Sequence, residues 1–91
     1  MALKTTPFDA AEYLETDEDI YFFLKDASEG TAEEFIHALN TVARAKGMAE
    51  IAAKAGVTRA SLYKSLADGG KPRFDTISRV VEALGCKLAI V

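Results

Sequence analysis

The chain has 91 residues, 49% of them hydrophobic, with one cysteine and a formal net charge of −3. That length and apolar share suit one small domain with its own core. They exclude a membrane-spanning helix, since no apolar run approaches about 20 residues, and an internal disulfide, since Cys86 has no second thiol. The amino end lacks a basic stretch followed by an apolar one, so the cytoplasm is the expected location, and a reducing compartment suits a lone thiol.

In chain order, Pro7–Leu14 (PFDAAEYL) reads as a short helix or an extended arm. Thr16 is a good N-cap, followed by Asp17, Glu18 and Asp19 where the helix dipole favours negative charge. Ile20, Phe23, Leu24 and Ala27 give the i, i+3, i+4, i+7 spacing of a buried helix face ending near Gly30. Tyr21 and Phe22 fall outside that stripe and are expected to be partly exposed. Thr31 and Glu34 form a capping box for the next helix. Its core face is Phe35, Ile36, Leu39, Val42 and Ala43, and Gly47 ends it.

Met48–Leu66 (MAEIAAKAGVTRASLYKSL) is the most informative stretch. It reads as two short helices joined by a tight turn at Gly56. Ile51, Ala52 and Ala55 line the inner face of the first. Val57 plugs the turn, and Leu62 and Leu66 anchor the second. Ala52 lets the helices approach closely, Gly56 supplies positive φ without steric cost, and Thr58 caps the second helix. Asp68–Pro72 is a loop with strong breaker signals. Asp75 is expected to cap a last helix with Ile77, Val80, Val81 and Leu84 inward and Gly85 at its end. Cys86–Val91 (CKLAIV) is β-prone and reads as a short strand or a tail.

The net charge hides a division. Residues 1–40 hold two basic residues against ten acidic ones, a net of −8, and residues 41–91 hold nine against four, a net of +5. Charge acts over about 8–10 Å at physiological salt, so the basic half can attract phosphate whatever the chain total. The acidic half must then point away from nucleic acid or face a basic partner. Ordinary solvated helix faces account for some of its carboxylates equally well.

A helix-turn-helix on a small domain can place its second helix in the major groove of DNA. With Thr58 as N-cap and Leu62 and Leu66 inward, Arg59, Ala60, Tyr63, Lys64 and Ala67 fall on or near the outer face. Arg59 can pair with guanine O6 and N7, or with a phosphate. Thr58 and Ser61 can bond phosphates. Tyr63 can stack on a sugar or touch a thymine methyl, or else cover the next helix. Lys64, Lys71 and Arg73 are phosphate neutralisers if they face the duplex. The tail Lys87–Val91, apolar at Leu88, Ile90 and Val91, is a candidate for pairing with a second copy, or for docking on its own helices.

Nothing resembles an active site. His37 is the only histidine, and no further Cys or His completes a metal set. Gly69–Gly70 lacks the preceding strand and the lysine spacing of a phosphate loop. Cys86 reads as a small buried hydrophobe. No catalytic residue, cofactor or metal is expected.

The stretch from about Phe35 to Leu88 resembles the Cro/C1-type (Xre-type, lambda repressor-like) helix-turn-helix domain. Within that group the chain is similar to the addiction-module antidote proteins, the HigA-like antitoxins of type II toxin–antitoxin pairs. The residues that carry the likeness are Gly47-Met48, Ile51-Ala52, Gly56-Val57-Thr58-Arg59, Ser61–Leu66, Gly69–Phe74 and Ala83-Leu84-Gly85, with the opening Leu3–Leu14. Ser65 departs from the wider group, where a larger apolar residue is common.

The resemblance implies an all-α, five-helix domain over residues 31–91. Residues 1–30 would be an acidic extension packed on it, and a short β-strand would close the chain. It further implies a homodimer that neutralises a basic RelE/HigB-like toxin and represses its own operon by binding operator DNA. The rivals are an antitoxin that uses the helix-turn-helix only as a scaffold, without DNA contact, and a plain Xre-type regulator without a toxin.

Overall fold

The computed structural model describes residues 14–90. The expectation for Pro7–Leu14 lies outside them except at Leu14, which is half-buried against the core. Five α-helices make up the described residues: α1 (Asp17–Ala27), α2 (Ala32–Lys46), α3 (Met48–Ala55), α4 (Arg59–Leu66) and α5 (Phe74–Ala83). The expected all-α class holds at that level, but only four of the five helices lie within residues 31–91: α1 falls in the stretch expected as an extension and gives Ile20 and Leu24 to the core.

Local chemistry sets most of the helix ends. Thr16 and Thr31 accept from the backbone N–H groups of Asp19 and Glu34, and the Asp19 and Glu34 carboxylates accept from the threonine N–H groups in return. Backbone N–H donation from Thr16, then from Glu15, holds the Asp19 pKa below the ordinary carboxylate value; the Thr31 N–H does the same for Glu34. Carboxylates lowered in this way contribute stability that is complete above their unfolded pKa. That stability disappears as the pH falls through the lower folded value. The melting temperature is therefore expected to fall in acid below about pH 4, and Asp19→Asn with Glu34→Gln to flatten that fall. Parallel acid melts of parent and double variant, by circular dichroism, check it.

α3 ends in a Schellman motif. Gly56 has φ 75° and ψ 28°, its N–H donates to the Ala53 carbonyl, and Val57 N–H reaches back to Ala52. Val57 packs partly onto the core. α5 closes in the same pattern, with Cys86 N–H bonded to Val81 O. Its following residue is thus Cys86, which rests half-buried on the core. Burial, and then the charge of Asp17, push the thiol pKa up, so Cys86 packs as a hydrophobe and is a poor nucleophile at neutral pH.

α3 is the hub. It packs against α2, α4 and α5, while α1 packs on α2. Ala52 and Ala55 are 2% and 4% exposed, and small side chains there let three helices close around one. One continuous core contains Ile20 and Leu24 of α1, Leu39 and Val42 of α2, Ile51 of α3, Leu62 and Leu66 of α4, and Val80 and Val81 of α5.

The structure corrects several expectations. Asp75 does not cap α5. The helix starts at Phe74 with Arg73 in the N-cap position, no side chain caps it, and Asp75 lies in the first turn with Oδ1 3.3 Å from Arg73 Nε. There the carboxylate still favours the helix dipole. The C-terminal strand is absent among the described residues: 86–90 have no regular structure, and Ile90 is fully exposed. A strand needs a neighbour to complete its hydrogen bonds, and no other described segment is extended as a strand. Phe35, Ile36 and Ile77 are only half-buried, whereas Ala38 and Thr41 are buried.

Candidate functional site

α4 displays its outer face because its inner face is fixed at three places. Leu62 and Leu66 are 0% and 1% exposed. Burial of Leu66 secures the last turn, where Ser65 stays half-buried beside it. At the start, Thr58 Oγ1 accepts from Ser61 N–H at 3.0 Å, as a threonine N-cap should.

At the end of α4, Asn40 of α2 donates to the Leu66 carbonyl at 3.2 Å. Gly70 folds under the same end, its N–H on Ala67 O at 2.8 Å. A Cβ on Gly70 would stand 2.6 Å from Ser65 O and 2.9 Å from both Ala67 O and Lys64 O. All three are backbone atoms that cannot swing aside. Gly70→Ala is therefore expected to cost about 1–3 kcal/mol, the range for overpacking a filled site. Urea unfolding checks this, and an unchanged midpoint would mean that the loop yields freely.

The outer face carries the residues that sequence reasoning singled out. Thr58, Arg59, Ala60, Ser61, Tyr63 and Lys64 are all exposed. The Arg59 guanidinium lies 5.1 Å from the centre of the Tyr63 ring, within cation–π range, and its Nη2 is 3.4 Å from Tyr63 Oη. Tyr63, 41% exposed, thus steadies the arginine. Lys71 and Arg73 are exposed on the loop before and at the start of α5, and Arg73 is partly engaged by Asp75.

Arg59 and Tyr63 share a shallow groove of about 510 Å³ with Arg44, Gly47, Met48 and Ala49. Lys64, Lys71 and Arg73 do not line it. Arg44 and Asn40 were missed from sequence. Arg44 Nε donates to Asn40 Oδ1 at 3.0 Å, so the asparagine that clasps the end of α4 also orients an arginine toward its start. Their spacing of four on a helix was visible, but the link to Leu66, 26 residues away from Asn40, was not.

No side chain caps α3, and its first residues, Met48 and Ala49, line this groove with Gly47. Two guanidinium groups beside a helix N-terminus make a place suited to an anion such as a phosphate. Among the described residues no group of His, Cys, Asp and Glu is arranged to hold a metal. His37 is exposed, with Nδ1 3.6 Å from the exposed Asp68. No described helix is long and apolar enough to cross a membrane.

Residues 4–91 match the family described as "Probable addiction module antidote protein". The chain belongs to this family. A relative in Haemophilus influenzae (strain ATCC 51907 / DSM 11121 / KW20 / Rd), described as an uncharacterized protein, is 38% identical over 91 residues, covering 99% of this chain and 94% of its own. No solved structure is significantly similar. The antidote-family match takes in all five helices, the groove between α3 and α4 included. An addiction-module antidote has a toxin as its counterpart, so a role in a toxin–antitoxin pair follows from the family.

Proposed function

We propose that this chain is a HigA-like antitoxin that binds and neutralises a basic RelE/HigB-like toxin and represses its own operon through a Cro/C1-type helix-turn-helix. In this reading α3 and α4 are the two helices of that motif, on a domain of residues 31–91, and residues 1–30 are its acidic extension. One observation carries the reading: the antidote-family match spans a unit whose second helix is capped, braced from below and open on its cationic side.

On DNA, α4 lies in the major groove. Arg59 reaches a base edge or phosphate, Tyr63 holds it in place, and Arg44 and the α3 N-terminus take a neighbouring phosphate. Thr58, Ala60, Ser61 and Lys64 approach the same strand, with Lys71 and Arg73 at the margin. One module makes few contacts, so two copies read half-sites about one helical turn apart. The chain works in the cytoplasm as a binding protein without catalysis or cofactor. The division of charge supports both halves of the role, since an acidic segment suits a basic toxin and a basic segment suits DNA.

Co-expression of the tagged chain with the product of the adjoining reading frame tests the reading. Retention of a basic partner through purification, with relief of its toxicity, is expected. Promoter binding without such a partner would leave a plain Xre-type regulator, and neither activity would overturn the reading.

A further inference from the structure

α1 buries Ile20 and Leu24 yet leaves Tyr21 and Phe22 48% and 57% exposed. The two rings pack edge to face, centroids 5.2 Å apart at 72°, and Lys25 Nζ lies 6.0 Å over the Tyr21 ring. Rings already held against each other lose little freedom when a partner covers them. A cleft of about 410 Å³ continues from Tyr21 past Leu24, Phe35, Val81 and Leu88.

Along α1 and into α2 the charge is acidic, while the cleft beside Tyr21 also carries Lys25 and Lys87 with Glu29. Residues 17–34 hold seven carboxylates against Lys25 alone. Some already have work within the fold: Asp17 pairs with Lys46 at 3.1 Å, and Asp19 and Glu34 close the capping boxes. Glu18 and Asp26 stand one turn to either side of Phe22 on the same helix surface, and neither has an ion-pair partner among the described residues.

We propose that this face of α1 is the surface that grips a basic protein partner, with Tyr21 and Phe22 as anchors and Glu18 and Asp26 steering the approach. The proposal rests on the antitoxin reading and names the part of the chain that holds the toxin. Exposed aromatic anchors ringed by charge are the usual make-up of a binding hot spot. Charge selects the occupant. A second copy would bring the same carboxylates against these and be repelled, and so would a phosphate backbone, while a cationic protein surface is attracted.

The test uses the full tagged chain co-expressed with the product of the adjoining reading frame, in three forms: parent, Tyr21→Ala/Phe22→Ala, and Glu18→Lys/Asp26→Lys. The parent is expected to retain the partner. The aromatic variant should bind it at least tenfold more weakly, with an unchanged melting temperature and promoter affinity, as for truncated hot-spot residues. The charge variant should associate more slowly and with less dependence on salt. Parent-like affinity in the aromatic variant overturns the proposal while the antitoxin reading stands. Should that variant not fold, a parent-like association rate in the charge variant overturns it instead. A parent that retains no partner overturns the antitoxin reading, and this surface assignment with it.

Discussion

Leu62→Ala should lower the unfolding free energy by about 2–5 kcal/mol, the range for emptying a buried leucine site. Leu62 is 0% exposed and sits at the centre of α4, facing the core. The void would open beneath the helix whose outer face carries Arg59 and Tyr63. A domain of this size has roughly 5–10 kcal/mol of stability in all, so a large part of it depends on one side chain. The melting temperature should drop by roughly 10–30 °C. Leu62→Met, which keeps the volume, should cost less than about 1.5 kcal/mol. Urea titration with an unchanged slope would assign the loss to the native core and not to a changed denatured state. A near-parental midpoint for the alanine variant would show that α4 is not held by this contact.

Arg59→Ala should weaken promoter binding by about 1–3 kcal/mol, roughly 5- to 150-fold, and leave the fold intact. Arg59 is exposed, and within the chain it loses only its stacking on Tyr63 and one long contact at 3.4 Å. The pattern of the loss separates its two possible roles. A base contact gives a loss concentrated on the operator, with a relaxed preference at one position. A phosphate contact gives an equal loss on any duplex and a salt slope smaller by about one. Circular dichroism should show parental helix content in either case. An unchanged promoter affinity would remove Arg59 from the interface.

The parts of the fold that could be read from sequence are those fixed within a few residues. The Thr31–Glu34 box, the Thr58 cap and the positive φ of Gly56 each depend on chemistry spanning six residues or fewer, and each formed where its residues predict. The exposure of Tyr21 and Phe22 followed from the helical period alone. What escaped was set at long range or by crowding. Asn40 gave no sign that its amide would reach Leu66, and so Arg44 gave none that it would be aimed at α4. Ala38 and Thr41 are buried because α2 is covered on more than one side, by α1, α3 and α4, a breadth that a single apolar stripe does not convey. Asp75 looks like a cap, but the backbone turns helical one residue before it, at Phe74. The tail is composed like a strand, and composition cannot supply the neighbour that a strand requires.

Of the candidate site, the face of α4 was legible and the groove beside it was not. Arg59, Tyr63 and Lys64 follow from the position of Thr58 and the helical repeat. The groove needs the N-terminus of α3 and the end of α2 brought alongside α4, which only the packed structure provides. Gly70 belongs to the same lesson: its neighbours in sequence mark only a loop with breaker signals, whereas a Cβ at this position would meet three backbone carbonyls at the end of α4.

The central claim is that the uncovered cationic side of α4 reads a duplex. Its most direct test is a titration of the parent protein with the duplex from immediately upstream of its own reading frame, against a scrambled duplex of equal length, at several salt concentrations. The account predicts that the upstream duplex is bound at least about a thousandfold more tightly, with affinity falling steeply as salt rises. Equal affinity for both duplexes, or none for either at low salt, would contradict it.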